Sequence, residues 1–258
     1  MRFFSLFAVL LVHAPFCTLQ AASPWRLESS ATLPSRSPAV VFQTLSLQND
    51  RALEMHLVRF NRTRCSLRVL DLPPGGTVAQ ALRTNGALAG VNGGYFTLDH
   101  SPIGLVVCKG VKLHPQENAK ILTGVLAVTP RGANLLRTSE FKTGPDLQEA
   151  LQAGPFLVDH GKAVGGLNAN RRAERTVLLA DSQGVVALLT TGPVTLAELG
   201  QILATSGLLP DLKIDRALNL DGGSSTALWV AADPTPTSRP EWKAVRNAVA
   251  IVPSAKPR

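Results

Sequence analysis

Two stretches of the sequence share one pattern of residue types. Residues 87–96, ALAGVNGGYF, and 217–226, ALNLDGGSST, both run from apolar residues into an Asn or Asp followed by two glycines. This pattern predicts an amide or carboxylate at the tip of a strand, where the glycines permit backbone conformations closed to other residues. Consecutive backbone amides there can form a concave anion site. Asn-Gly and Asp-Gly are also strong hairpin signals, so two ordinary turns are the alternative.

Arginine residues are concentrated in a third segment. Residues 168–181, NANRRAERTVLLAD, place Arg171, Arg172 and Arg175 before a run typical of a strand. A guanidinium at a strand entrance suits a phosphate or carboxylate ligand. A solvated basic loop is the alternative for Arg171 and Arg172.

The spacing of the remaining reactive residues excludes several common kinds of site. Ser224 and Ser225 lie outside any G-x-S-x-G nucleophile motif, and no GxxxxGK[ST] phosphate loop occurs. The run from Asn219 to Gly222 resembles part of a calcium loop but lacks its downstream Glu. Histidines occur at positions 13, 56, 100, 114 and 160, without metal-ligand spacing. We therefore expect no metal-ligating residues and no cofactor, and the sequence leaves open whether a metal assists.

The N-terminal residues have the features of an export signal. Residues 1–22 contain Arg2, an apolar run to about Phe16 and small residues at the end, which predicts a signal peptide cleaved near Ala22. The run is short of the ~20 residues that span a membrane. We expect an exported protein, periplasmic or secreted, with no integral membrane segment after signal removal and no nucleic-acid partner. Removal of the signal peptide would leave two cysteines, Cys65 and Cys108, which could form a disulfide or remain free thiols.

The rest of the chain predicts one domain built from hairpins. It has 258 residues, 45% hydrophobic and 17% charged, enough for a single core. Its formal net charge of +8 fits adhesion to anionic surfaces or an anionic substrate, without choosing between them. Short β-like runs come in adjacent pairs, while Thr77-x-x-Gln80, Thr195-x-x-Glu198 and residues 145–152 indicate helices. We predict an α+β fold: a single domain with mixed or antiparallel sheets and about three helices.

Six motifs occur in an order and spacing that carry a family resemblance. They are GVNGGYF, QAGPFLVDHGK, ERTVLLA, TLAELGQIL, ALNLDGGSSTAL and VRNAVAIV. In this arrangement the chain resembles the phosphodiester glycosidase family from about residue 50 to 253. We therefore divide it into the signal peptide at 1–22, an N-terminal arm at 23–45 and a phosphodiester glycosidase-like domain at 46–258. One departure is Ser224, where the family often has a third glycine.

The resemblance implies hydrolysis of a sugar-1-phosphodiester at the anomeric carbon, with a carbohydrate phosphate as the substrate. It implies Asp221 as the catalytic carboxylate, acting as nucleophile or as base for water, with Arg175 holding phosphate and Asn92 orienting the substrate. The implied substrate-binding residues are Gly93, Gly94, Asn219, Gly222, Gly223, Ser225 and Thr226. A second carboxylate would be Glu174 or Asp215.

A function of another class remains open from the sequence. The same groove would let a non-catalytic envelope protein bind an anionic glycan or a cell-wall polymer. Both functions require Asn92, Arg175 and Asp221 to come together around one cleft.

Overall fold

The computed structural model describes residues 24–254, so the predicted signal peptide lies outside the described residues. Across the described part, no helix is both long enough and apolar enough to cross a membrane. The elements are β1 (Arg26–Leu33), β2 (Val40–Gln48), β3 (Ala52–Phe60), β4 (Cys65–Asp71), α1 (Val78–Thr84), β5 (Ala89–Asn92), β6 (Val106–Cys108), β7 (Val111–His114), β8 (Gly124–Thr129), β9 (Gly132–Arg137), β10 (Glu149–Ala153), β11 (Phe156–Asp159), β12 (Lys162–Ala163), β13 (Ala173–Asp181), β14 (Gly184–Val194), α2 (Leu196–Ala204), β15 (Arg216–Asn219), β16 (Leu228–Val230), β17 (Thr237–Arg239) and β18 (Asn247–Pro253).

The strands form three antiparallel sheets. The largest has eight strands in the order β1-β2-β3-β14-β13-β15-β11-β12, and the other two have five each, in the orders β7-β6-β10-β8-β9 and β17-β16-β5-β18-β4. One apolar cluster joins all three sheets, with Phe42 and Leu218 on the first, Leu126 on the second and Val249 on the third. The opposite face of the eight-stranded sheet is covered by α2, whose Leu199 and Leu203 pack into a second cluster. Burial on both faces fixes the sheet that carries Arg175 and Asn219.

The predicted α+β class is wrong, because the described residues are 46% strand and 8% helix, with only two α-helices. The helices predicted after Thr77 and Thr195 are confirmed. Thr77 accepts a hydrogen bond from the Gln80 amide, and Thr195 forms a complete capping box with Glu198.

The helix predicted over residues 145–152 is the element that failed. Residues 149–153 instead form β10, a fully buried strand in the middle of its sheet. Two polar side chains of this strand have long-range partners. Glu149 accepts from the amides of Val69 and Lys109, and Gln152 Oε1 accepts from the Leu105 amide. These contacts satisfy buried polar groups that an exposed helix face would have left to water.

The N-terminal and cysteine residues take defined places in this architecture. Residues 24–45, assigned to the N-terminal arm, form β1 and the first part of β2 at an edge of the eight-stranded sheet. Cys65 and Cys108 are both free thiols. Burial raises the pKa of Cys65, and burial together with the Glu149 charge raises the pKa of Cys108 to about 12.

Candidate functional site

The loops at residues 92–94 and 221–223, each an Asn or Asp followed by two glycines, lie against each other, although they follow strands of different sheets. The first follows β5 in a five-stranded sheet, and the second follows β15 in the eight-stranded sheet. The Asp221 amide donates to the Gly93 carbonyl at 3.0 Å, and Asn92 Nδ2 donates to the Asp221 carbonyl at 2.8 Å. Asn92 and Asp221 are 129 residues apart in sequence, and their loops are thus joined directly at the predicted site, by one backbone hydrogen bond and one from a side chain.

Asn92 stabilises this junction and is not among the residues that line the adjacent cavity, described below. The residue is fully buried. Its Oδ1 accepts from Thr176 Oγ1 at 2.7 Å and from the Ala227 amide at 3.1 Å. With its Nδ2 bonded to Asp221, both ends of the side chain are occupied. Asn92, predicted as a catalytic residue, therefore fixes the backbone of Asp221 through its side-chain amide.

Gly93 and Gly94 also serve the junction. The Gly93 amide donates to the Asn247 carbonyl at 2.8 Å, and the Gly94 amide donates to Asn247 Oδ1 at 2.7 Å. A Cβ at Gly93 would lie 2.0 Å from that Oδ1, so glycine is required by a close approach. Both amides, predicted to hold phosphate, are already bonded within the protein, and the two residues act as internal packing.

The loop at residues 221–223 borders a cavity of about 270 Å³. It is lined by Tyr95, Ile121, Asn168, Arg171, Ala173, Arg175, Leu196, Asn219, Leu220, Asp221, Gly222 and Gly223. Five of the predicted site residues are in this set: Arg175, Asn219, Asp221, Gly222 and Gly223. Asp221 is the one carboxylate among the lining residues.

The Asp221 carboxylate is held in a half-buried position. Its Oδ1 accepts from the Gly222 amide at 2.8 Å. Burial raises the pKa of this carboxyl, while hydrogen bonds from the Ser225 hydroxyl and the Gly222 amide and the charge of Arg171 oppose the rise. Ser225 itself is buried. The result is a poorly solvated carboxylate that faces a small cavity.

Arg175 brings a positive charge to the same cavity. Its Nε donates to the Val194 carbonyl at 3.1 Å and its Nη2 to the Arg171 carbonyl at 2.8 Å, which fix the guanidinium. Within residues 24–254 it forms no ion pair with a carboxylate. Burial lowers the pKa of Arg175, but an arginine stays protonated in proteins. A half-buried cation without an internal counter-ion is a suitable partner for an anionic ligand.

Arg171 is the second arginine of the lining. The side chain of Asn168 fixes its loop, because Asn168 Oδ1 accepts from the amides of Asn170 and Arg171 at 3.0 and 2.8 Å. The sequence left a solvated basic loop as the alternative for Arg171, and the structure shows this residue both exposed and among those that line the cavity. Arg172, its neighbour, pairs instead with Glu198 at 3.6 Å.

Tyr95 is a lining residue that the sequence reasoning missed. Its hydroxyl donates to the Gly154 carbonyl at 2.5 Å and accepts from Asn219 Nδ2 at 3.2 Å. Burial, with the nearby charge of Asp221, raises the pKa of Tyr95 well above its ordinary value, so the phenol stays neutral. Its position directly after Asn-Gly-Gly could have indicated this role, because a residue that follows a loop at a cavity can also line that cavity.

Asn219 and Thr226 carry buried oxygen atoms that lack a protein partner within the described chain. Asn219 Nδ2 donates to the carbonyls of Gly154 and Leu220 at 3.1 and 2.6 Å, which fixes the orientation of the amide. Its Oδ1 is therefore an acceptor with no donor. Thr226 is fully buried and lies outside the lining.

Neither candidate for a second carboxylate lines the cavity. Glu174 forms an ion pair with Arg239. Asp215 precedes β15, whereas Asp221 follows it, so the two lie at opposite ends of that strand. Asp215 borders a different depression, with Arg216. In addition, no group of three His, Cys, Asp or Glu side chains in residues 24–254 is placed to hold a metal ion.

Comparison with known proteins agrees with this fold and motif order. The family model NAGPA, phosphodiester glycosidase, matches residues 85–252. The chain belongs to the phosphodiester glycosidase family, which confirms the resemblance seen in the sequence. No curated protein sequence matches it.

Two solved structures share the fold. The catalytic domain of zebrafish N-acetylglucosamine-1-phosphodiester alpha-N-acetylglucosaminidase, auto-inhibited by its pro-peptide, superposes with a TM-score of 0.62 at 16% identity, over 87% of this chain and 88% of that one. A hypothetical protein from Synechocystis superposes with a TM-score of 0.58 at 18% identity, over 87% of this chain and 64% of that one. At these identities the likeness is one of fold.

The raised pKa of Asp221 predicts an effect on stability. The folded carboxyl binds a proton more readily than the unfolded one, so its contribution to stability is full below the unfolded pKa and is lost as pH rises through the folded pKa. Asp221→Asn carries no charge at any pH. We expect its Tm at pH 7 to exceed that of the wild type by about 2 °C or more, with the difference shrinking as pH falls towards the ordinary aspartate range.

Differential scanning calorimetry from pH 7 down to pH 4 (roughly the ordinary aspartate range) measures this difference. Asp146→Asn is the matched control, because Asp146 is exposed on a loop outside the cavity lining. A Tm for Asp221→Asn equal to that of the control at every pH would show that burial of Asp221 costs the fold nothing.

Proposed function

We propose that the protein is an exported hydrolase that cleaves a sugar-1-phosphodiester at the anomeric carbon. The observation that carries this proposal is one small cavity lined by a half-buried carboxylate, Asp221, and by a guanidinium, Arg175, that forms no ion pair within residues 24–254. Membership of the phosphodiester glycosidase family supports the same reaction. The zebrafish enzyme with this fold acts, as its name states, on an N-acetylglucosamine-1-phosphodiester.

The reaction has two separate electrostatic requirements. The bond between C1 of the sugar and the bridging oxygen breaks, and its electron pair leaves with the phosphate. Water adds its hydroxyl to C1, and its proton is released or taken up by the phosphomonoester. Positive charge therefore develops at C1, and negative charge develops on the departing phosphate.

Asp221 meets the first requirement. A carboxylate beside C1 stabilises the oxocarbenium-like carbon, either by attacking it or by taking a proton from the attacking water. The anionic form must be present for either role. Since burial raises the pKa of Asp221, the acid limb of the rate profile would lie above the range of an ordinary exposed aspartate.

Arg175 and Arg171 meet the second requirement. The fork of a guanidinium matches two phosphate oxygens, and its charge offsets the one that builds up as the phosphate leaves. A phosphomonoester is a good leaving group, so little help from a general acid is needed. This agrees with a lining that contains a single carboxylate.

A panel of sugar-1-phosphodiesters tests the proposal on the purified protein without residues 1–22, with and without chelator. We expect equal amounts of free sugar and phosphomonoester from at least one diester, detected by coupled assay and mass spectrometry. Saturable binding with no turnover across the panel would support the non-catalytic envelope protein instead.

Export is part of the proposal and has its own test. Residues 1–22 have the composition of a signal peptide. We expect the protein expressed from its full sequence in a bacterium to be recovered outside the cytoplasm, with a mass that corresponds to a chain beginning at residue 23. Recovery of the full-length chain from the cytoplasm would contradict export.

A further inference from the structure

A second cavity lies among three strand-to-strand turns that together belong to all three sheets. Its volume is about 640 Å³, more than twice that of the cavity beside Asp221. Residues from the segments 60–67, 128–133 and 183–185 border it. These segments contain the turns from β3 to β4, from β8 to β9 and from β13 to β14. The second cavity is therefore formed where the ends of the sheets diverge.

The second cavity is separate from the one beside Asp221, and no residue lines both. In β13, Val177 pairs with Asn219, two residues before Asp221. The same strand ends at Asp181, and the turn that follows contributes Gln183 to the second cavity. From Val177 to Asp181 the strand covers roughly 13 Å, at about 3.3 Å per residue. A ligand in the second cavity would thus leave the candidate active site free.

The floor of the second cavity is apolar and closed. Its members belong to the cluster that joins the three sheets, and each is at most 6% exposed: Phe60, Cys65, Leu67, Val128 and Val185. Because these side chains are packed against the core, the floor offers an apolar surface without any rearrangement of the sheets. The volume also falls within the range of about 300 to 1,000 Å³ that is typical of sites for small organic molecules.

The rim of the second cavity carries positive charge. Two arginines line it, and none of the lining residues is an Asp or Glu. Arg62 is neutralised by its own contacts, because its Nη1 donates to Asp181 Oδ1 at 2.5 Å and its Nη2 to Gln183 Oε1 at 3.1 Å.

Arg131 is the other arginine of this rim, and it is exposed. Its side chain forms no ion pair in the described part of the chain. The backbone of Arg131 is fixed in the tight turn between β8 and β9, where its amide donates to Thr129 Oγ1 at 3.3 Å. A guanidinium that has no carboxylate partner and stands at the edge of an apolar floor suits the anionic end of a ligand.

We propose that the second cavity binds an amphiphilic organic anion, a molecule with an apolar body and one carboxylate or phosphate head. The apolar body covers the floor, and the head pairs with Arg131. The hydroxyl of Ser66 and the amide of Gln148, which also line the cavity, supply further hydrogen bonds. An uncharged apolar molecule would leave Arg131 unused, and a small inorganic anion would leave the floor uncovered. The inference does not depend on the proposed hydrolase activity.

Isothermal titration calorimetry with dodecanoate and dodecyl phosphate, each below its micelle concentration, tests this site. We expect saturable binding of at least one of the two, and the comparison shows which head is preferred. Dodecanol and inorganic phosphate, which each lack one half of the ligand, should bind at least about tenfold more weakly, the scale of one charge-assisted contact. Dodecanol binding as tightly as both anions, or no saturable binding of either anion, would overturn the proposal.

Variants of the rim and of the cavity wall locate the binding. For Arg131→Glu we expect Kd to rise about tenfold or more. Arg64→Glu is the matched control, because Arg64 is also exposed and lies close in sequence to the lining residues but does not line the cavity, and its Kd should stay within about twofold of wild type. Ala133→Leu places a larger side chain on a half-buried lining position and should also weaken binding.

The two rim variants keep the test decisive if Ala133→Leu lowers the Tm, because both change exposed side chains only. Equal Kd values for the wild type, Arg131→Glu and Arg64→Glu would place the anion elsewhere and would contradict the site. Hydrolysis of a sugar-1-phosphodiester should be unchanged in Arg131→Glu, since the two cavities share no residue. Failure of this site would therefore leave the proposed hydrolase intact, and failure of the hydrolase would leave this site intact.

Discussion

Asp221→Asn is expected to lower kcat on a sugar-1-phosphodiester by about a thousandfold or more, the usual scale for loss of a catalytic carboxylate. The amide keeps the size of the side chain and one acceptor for the Gly222 amide, but it cannot attack C1 or accept a proton from water. Because Asn removes a half-buried charge whose burial raises the pKa of the carboxyl, the variant should remain folded. Steady-state kinetics, with circular dichroism on the same samples, measures both effects.

Asp215→Asn is the matched control for this substitution. Asp215 lies at the other end of β15, outside the cavity, and we expect its variant to stay within about twofold of wild type, as for a residue away from the chemistry. An Asp221→Asn enzyme with full activity would show that another group does the chemistry. Loss of activity in Asp215→Asn alone would move the catalytic carboxylate to the opposite end of the strand.

Arg175→Leu is expected to lower kcat/KM by about a hundredfold to a thousandfold, the cost of removing one group that stabilises transition-state charge. Arg175→Lys should lie between this variant and the wild type, because an ammonium keeps the charge but lacks the planar fork. The substitution also removes the donors to the carbonyls of Val194 and Arg171. The Tm of each variant therefore accompanies its kinetics.

Arg172→Leu tests whether the effect belongs to the cavity or to the basic segment as a whole. Arg172 precedes the same strand but pairs with Glu198 and does not line the cavity. We expect a small change in KM from this variant at low salt and no change in kcat. Equal losses in Arg172→Leu and Arg175→Leu would mean that the segment attracts the anion through its overall charge only.

The sequence could indicate the parts of the site that depend only on residues adjacent in the chain. Asp221 with two glycines marks a strand end, and that pattern depends only on neighbouring residues. The pattern recurs at residues 92–94, and the structure brings these two loops into contact. The sequence could not show the direction of each side chain. Asn92, for example, points into a core formed by residues far away in sequence, such as Thr176.

The same limit explains the error in the fold. A segment such as 149–153 has no strong preference, and its strand conformation is imposed by β6 and β8 on either side. The capped helices were predictable because Thr195 and Glu198 satisfy each other within one turn. Local capping was visible in the sequence, whereas partners from distant strands were not.

The bond that is broken distinguishes a phosphodiester glycosidase from a phosphodiesterase acting on the same compound. Hydrolysis of a cleaved diester in ¹⁸O-labelled water, followed by mass spectrometry of both products, identifies it. We predict ¹⁸O in the released sugar and none in the phosphomonoester, because water attacks C1. Label in the phosphomonoester instead would mean attack at phosphorus and would contradict the role assigned to Asp221 and its cavity.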